Sequence, residues 1–347
     1  MNRTLAFVLA LGLAATAAVS AVTGASAQEV TLRLHQMLPP QAAIPARALT
    51  PWMEKVERES NGRIKVEHYP SMQLGGAPPA LYDQAKDGVV DLIWTVLGYT
   101  PGRFPRSEAF ELPFMVTTAE ATSRAFHEYV LENATEEFKD VHPIALHTHG
   151  PGLLHVKGEG VHSLADMQGL KIRTPTRVAA GMLSNFGATP IGMPVPAVPE
   201  SLSKGVIDGV AIPWEVTLPL KVAELVQTHT SFSGDHGLYT STFIFAMNRD
   251  SYEKLPDDLK KVIDDNSGPE VAALFGRAMD EVDVIGREVA QKAGNVLVTL
   301  DEAETARWQE AAQKTTTDWI AEMDAKGIDG AGLVEDARRR IEKYSGQ

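Results

Sequence analysis

Apolar and polar residues alternate from the first stretch that follows residue 27. Val30–His35 (VTLRLH) has the two-residue period of a half-buried strand. Ala46–Ser60 changes to helical spacing, with Leu49, Trp52, Met53 and Val56 on one face, and Asn61-Gly62 reads as its C-cap. A second strand follows at Arg63–His68. Pro70–Pro79 is a Gly- and Pro-rich loop, and Ala80–Asp87 is a helix stopped by Gly88. Val89–Val96 (VVDLIWTV) is nearly continuous in apolar residues, as in a parallel strand buried on both faces. This order, strand–helix–strand–helix–strand, predicts an α/β unit.

The same pattern returns further along. Strands are predicted at Pro143–Thr148, Leu170–Thr174, Ala188–Met193, Gly209–Pro213 and Tyr239–Asn248. Helices are predicted at Arg177–Phe186, Pro256–Asn266, Glu270–Gly294 and Glu302–Lys326, the last two unusually long. No repeat or long linker separates the strand-rich blocks. The reading is therefore an α/β fold of two lobes joined by strands that cross directly between them, with long C-terminal helices as braces. The expected division is residues 28–150 with about 241–280 in the first lobe, and about 151–240 with 281–347 in the second.

The first 27 residues lie outside this pattern. Arg3 precedes an Ala/Leu-rich apolar run, Leu5–Val22, and Ala25-Ser26-Ala27 supplies small residues for cleavage. This is the arrangement of a secretory signal peptide removed after about Ala27, giving a periplasmic protein; a membrane anchor is the rival reading. No later segment reaches 18 continuous apolar residues, so no membrane insertion is expected after cleavage. The chain has no cysteine, which excludes disulfides, thiolate nucleophiles and Cys-ligated metals. Its net charge of −13 argues against nucleic-acid binding, which needs a basic face. It leaves anionic small ligands open, because a local site can be positive on an acidic protein.

Catalytic signatures are sparse. The sequence has no G-x-S-x-G elbow, no P-loop and no H-E-x-x-H. His147, His149 and His155 cluster near a strand end, where histidine serves either as polar lining or as a metal ligand. Arg173 is more informative. It sits at the C-terminal end of the short strand Leu170–Thr174, which is broken at Pro175. That end of an open α/β sheet faces the ligand crevice, and a guanidinium matches a carboxylate with two parallel donors. A surface arginine paired with one of the many acids is the alternative.

Seven fragments in order then carry a resemblance: Asn61–Ile64 (NGRI), Tyr69–Gly75 (YPSMQLG), Asp87–Asp91 (DGVVD), Glu111–Phe114 (ELPF), Gly169–Pro175 (GLKIRTP), Gly205–Gly209 (GVIDG) and Leu255–Leu259 (LPDDL). Nearly the whole chain after residue 27 resembles the solute-binding proteins of TRAP (tripartite ATP-independent periplasmic) transporters, of the C4-dicarboxylate-binding, DctP-like type. The resemblance implies two lobes closing on a small organic acid, membrane subunits of the transporter as partners, and no enzyme activity or cofactor. It also implies a long helix touching both lobes, and a salt bridge from Arg173 to the ligand carboxylate.

The chain departs from relatives that bind sialic acid. Val96, Gly152 and Ile212 stand where those have a glutamate, an arginine and an asparagine. One arginine among apolar walls predicts an aromatic or otherwise hydrophobic monocarboxylate, because further polar groups on a ligand would be buried unpaired. A sugar acid such as a uronate, a C4-dicarboxylate, or a periplasmic enzyme acting on such acids are the alternatives. Expected contacts beside Arg173 are Gln36, Met37, Thr95, Val96, Tyr99, His149, Thr176, Ile212 and Trp214. Trp94 is read as core or wall. Glu215 is a candidate for holding a cation, as some relatives pair a metal with a keto acid, or is a solvated turn residue.

Overall fold

The computed structural model describes residues 28–346. The expected signal peptide, residues 1–27, lies outside the described residues. Two mixed sheets organise the chain. In order, the first half contains β1 (Val30–Gln36), α1 (Thr50–Glu59), β2 (Ile64–Tyr69), α2 (Leu81–Lys86), β3 (Leu92–Val96), α3 (Ala119–Asn133), β4 (Val141–Thr148), β5 (Leu153–Val156), β6 (Lys171–Thr174), α4 (Arg177–Asn185), β7 (Thr189–Gly192), α5 (Val198–Ser203) and β8 (Gly209–Ile212). The remainder comprises β9 (Thr228–Phe232), β10 (Thr242–Asn248), α6 (Arg249–Glu253), α7 (Asp257–Asp265), α8 (Pro269–Lys292), β11 (Val296–Leu300), α9 (Glu302–Ala325) and α10 (Gly330–Ser345).

The first sheet has the order β2-β1-β3-β10-β4, with β10 antiparallel to both its neighbours. The second has the order β11-β9-β5-β8-β6-β7, in which β5 is antiparallel to β8 and β9. The chain passes from β4 in one sheet to β5 in the other through residues 149–152, and returns from β9 to β10 through residues 233–241. These are the direct crossings expected of a chain without linkers.

The register explains where a ligand can reach. β1, β3 and β4 all point their C-terminal ends at one edge. Because β10 is antiparallel, its first residues arrive at that same edge: Phe243 pairs with Val96, and Thr242 with Thr148. In the second sheet β6 and β8 run parallel and end together, with Arg173 opposite Val210. The strand ends of both sheets thus supply the walls of one cavity.

Seven elements were not visible in the apolar periodicity: α3, β5, α5, β9, α6, β11 and α10. Helix α3 buries small and polar residues on several faces, including Ala119, Thr122, Ser123, Ala125 and His127, so no apolar stripe marks it. Strand β9 buries Thr228, His229 and Thr230, polar residues that read as loop. Helix α10 sits against α3, on the first-sheet side, and also packs on α9. Leu333, Val334, Ala337 and Ile341 enter the larger core, and the nearly buried Arg340 pairs with Glu128 and Glu132 of α3. Among the described residues no helix is long and apolar enough to cross a membrane.

Candidate functional site

The cavity between the sheets is built from strand ends. From the first-sheet side come Met37 and Leu38 after β1, Trp94, Val96 and Tyr99 on and after β3, His149 after β4, Tyr239 and Ser241 just before β10, and Phe243 at its start. The second sheet contributes Arg173 and Pro175 on and after β6, Val195 after β7, and Ile212, Pro213, Glu215 and Val216 on and after β8. Among these described lining residues Arg173 is the one Lys or Arg.

Arg173 is 2% exposed. Its Nε donates to the Met193 carbonyl at 2.9 Å and its Nη1 to the Ala211 carbonyl at 3.2 Å. Nη2 is buried without a hydrogen-bond partner, and no carboxylate pairs with the group among the described residues. Two carbonyls thus fix the plane of a desolvated cation and leave one nitrogen unspent. A buried charge without a partner is costly, and an anion placed against it would offset that cost.

The polar groups near Arg173 answer to its charge. Tyr99 accepts a hydrogen bond on its hydroxyl from the Val195 amide at 2.9 Å, which ties the two lobes together. The Tyr239 hydroxyl is buried and unpaired. Burial raises both phenols above their ordinary value, and Arg173 opposes that rise. His149 accepts from the Ser241 amide on Nε2 at 3.0 Å, so the neutral ring carries its proton on Nδ1, facing the Gly150 carbonyl at 2.6 Å. Burial, with Arg173 acting in the same direction, takes His149 down to about 4. The histidine therefore adds no second positive charge near neutral pH. Trp94 and Phe243 stack at 5.3 Å between centroids with an interplanar angle of 8°, forming a flat aromatic wall. The Trp94 indole donates to His147 Nε2 at 2.8 Å, which locks its orientation.

The predicted contacts divide into two groups. Arg173, Met37, Val96, Tyr99, His149, Ile212 and Glu215 come together around the cavity. Gln36, Thr95, Thr176 and Trp214 do not line it. The Gln36 amide bonds both backbone groups of Leu38, with 2.7 Å to the carbonyl, and so shapes the loop that delivers Met37 and Leu38. Thr95 lies between Trp94 and Val96 on a strand, so alternation turns it to the opposite face. Thr176 is the N-cap of α4 and accepts from the Ala179 amide. Trp214 turns behind the cavity and packs on His155 and His229, with centroids 5.0 and 4.8 Å away. Those two histidines bond each other through Nδ1 atoms 2.6 Å apart.

Tyr239, Ser241 and Phe243 were not anticipated. The available signal was the direction of β10: the first residues of an antiparallel strand lie at the carboxyl edge of its parallel neighbours. Gly152 is part of the same arrangement, since a side chain there would occupy the space of the Tyr239 ring. Glu215 is buried rather than a solvated turn residue, and no group of three or more acids and histidines among the described residues is placed to hold a metal ion. A wider groove between α3, α9 and α10 lies elsewhere; its Arg124 is already paired with Glu270.

Residues 36–322 match the family model of bacterial extracellular solute-binding protein, family 7. The chain belongs to that family. Its members, the DctP-type proteins of TRAP transporters, bind solutes rather than transform them. The fold also superposes on solved TRAP solute-binding proteins. A marine metagenome TRAP solute-binding protein from an unidentified microbe, described as specific for aromatic acid ligands and solved with 3-hydroxybenzoate, is 50% identical with a TM-score of 0.90, over 91% of this chain and 99% of that one. A TRAP solute-binding protein from Rhodoferax ferrireducens T118, solved with copurified benzoate, is 48% identical with a TM-score of 0.89, over 91% and 98% of the two chains. In sequence, the outer membrane transporter protein TsaT of Comamonas testosteroni is 25% identical over 93% of this chain and 95% of its own.

Proposed function

We propose that this protein is the periplasmic receptor of a TRAP transporter and captures an aromatic monocarboxylate between its lobes. The observation that carries the proposal is the unspent Nη2 of Arg173, buried beside the unpaired Tyr239 hydroxyl and facing aromatic walls. A ligand carboxylate accepts from both donors, and its ring lies along Trp94 and Phe243. A second carboxylate would meet no further cation among the lining residues, and the many hydroxyls of a uronate would exceed the few free polar groups. Each buried group left unpaired costs about 1–3 kcal/mol. The two solved relatives bound to benzoate and 3-hydroxybenzoate, at 48% and 50% identity, support this class.

The leader, residues 1–27, is proposed to direct export and to be cleaved after Ala27, and the partners are the membrane subunits of the transporter. The lobes follow the two sheets, with α10 assigned to the first.

Calorimetry and thermal melting against benzoate, hydroxybenzoates, mandelate, uronates and C4-dicarboxylates test the reading. Saturating aromatic acid, at about a thousand times Kd, adds about 4 kcal/mol of stability and moves Tm by several degrees. In Arg173→Ala, affinity falls by two or more orders of magnitude, because the loss of a buried ion pair is worth about 3–5 kcal/mol. The melting curve of the ligand-free variant stays close to wild type. Selective binding of uronates or dicarboxylates by the wild type would overturn the ligand class, and wild-type affinity in Arg173→Ala would remove the anchor.

A further inference from the structure

Resting on the aromatic-acid reading, we infer that Glu215 reads the ring of the ligand, hydrogen-bonding an uncharged hydroxyl so that hydroxylated aromatic acids are selected over the bare ring. Glu215 is 4% exposed and lines the same cavity as Arg173. Its Oε2 is buried with no hydrogen-bond partner. No Lys, Arg or His makes an ion pair with it among the described residues. Its position is fixed from outside the cavity: the Glu215 amide donates to Asp283 Oδ1 of α8 at 2.6 Å.

Arg173 and Glu215 both line the cavity and form no ion pair with each other. Arg173 acts on Tyr99, Tyr239 and His149, whereas the charged neighbour that acts on Glu215 is Asp283. Burial first, and Asp283 second, push the Glu215 carboxyl well above the usual carboxylate range. A neutral carboxyl both donates and accepts, which is the complement of a phenolic hydroxyl. A second ligand carboxylate there would be buried with no cation to pair with among the described residues, next to Asp283, whose own carboxyl burial pushes up to about 8. With the ligand carboxylate held by Arg173, the group presented to Glu215 is a ring substituent.

The test is the ratio of dissociation constants, benzoate over the best of 2-, 3- and 4-hydroxybenzoate, measured by calorimetry on the chain from Gln28 onward. A hydrogen bond to a buried, otherwise unpaired group makes the wild-type ratio about tenfold or more. Glu215→Gln keeps it within about threefold of wild type, because an amide also donates and accepts. Glu215→Leu, or Glu215→Ala where the leucine variant does not fold, brings it to about one. Tyr239→Phe weakens both ligands alike and leaves the ratio in place. A wild-type ratio near one, or a ratio unchanged in Glu215→Leu or Glu215→Ala, overturns the inference while leaving the aromatic-acid reading intact. If no aromatic acid binds the wild type, both are overturned.

Discussion

The nitrogens of Arg173 are used differently, and the difference suits it to the carboxylate-binding role proposed for it. Nε and Nη1 are committed to the carbonyls of Met193 and Ala211, so the guanidinium is oriented before a ligand arrives. Nη2 alone is free. Lysine has the charge but not the geometry: its ammonium cannot satisfy two carbonyls on one side and present donors on the other. Arg173→Lys is therefore expected to lose at least about a hundredfold in affinity for benzoate by calorimetry. Retention within tenfold would mean that charge alone suffices. Trp214 has the opposite character. It rests on the His155–His229 pair behind the cavity, so Trp214→Ala is expected to lower Tm and to weaken aromatic and aliphatic acids by equal factors. A larger loss for aromatic acids would put its ring against the ligand.

Helix α8 is the element that binds the lobes to each other. Asp280 accepts from the Ala119 and Glu120 amides at the start of α3, at 2.8 and 2.9 Å. Three residues on, Asp283 holds Glu215 beside the second sheet. Two glycines let the helix approach both sides: a Cβ at Gly276 would meet the Ala119 carbonyl, and one at Gly286 the Trp214 carbonyl. Alanine would favour the helix itself by about 1 kcal/mol. The overlap is with backbone, which cannot step aside, and overpacking of that kind costs about 1–3 kcal/mol. We expect Gly276→Ala and Gly286→Ala each to destabilise the protein, by about 1–2 kcal/mol in urea unfolding. Stabilisation would show that α8 shifts freely against its neighbours.

Across the whole molecule, the lobes also meet away from α8. Arg177, in the first turn of α4, pairs with Glu108 from the segment before α3 and with Glu322 of α9, and the Trp319 indole donates to Glu108 at 3.2 Å. Next to Glu108 in this segment, Glu111 is 1% exposed and accepts from the Thr242 hydroxyl at 2.8 Å. Burial, followed by the charge of Glu108, raises Glu111 from 4.5 to about 7. Between those values the folded chain holds a proton that the unfolded chain has released, so this group lowers stability as pH rises from about 4.5 to about 7. Buried histidines have the reverse effect. Burial takes His127 to about 4 and His147 to about 3, so their neutral forms lose stability as pH falls below about 6.5. In Glu111→Gln the first slope is expected to vanish, so the variant gains on the wild type by about 1–3 kcal/mol between pH 5 and pH 8. Melting curves that run parallel across that range would show that Glu111 does not titrate there.

The local sequence determined those features that depend on near neighbours. The period of two in Val30–His35, the buried run ending at Val96, and the Asn61-Gly62 cap each act within a few residues, and their elements form close to where the pattern placed them. The placement of Arg173 before a proline at a strand end is also local, and it pointed to the cavity that the arginine lines. Elements stabilised by contacts far along the chain left little trace. Strand β9 carries Thr228, His229 and Thr230 in its interior because β5 and β11 supply their surroundings, and α3 buries alanines and serine because α8, α10 and β4 cover it. The site divides in the same way. Alternation on β3 already separates Thr95 from Trp94 and Val96, so that distinction could be read from the sequence. That Tyr239 stands beside Arg173, that Trp214 turns behind the cavity, and that Glu215 is buried without a partner were decided by the tertiary structure. Each depends on which strand runs antiparallel and on what packs from the other lobe, and no short stretch of sequence contains both partners.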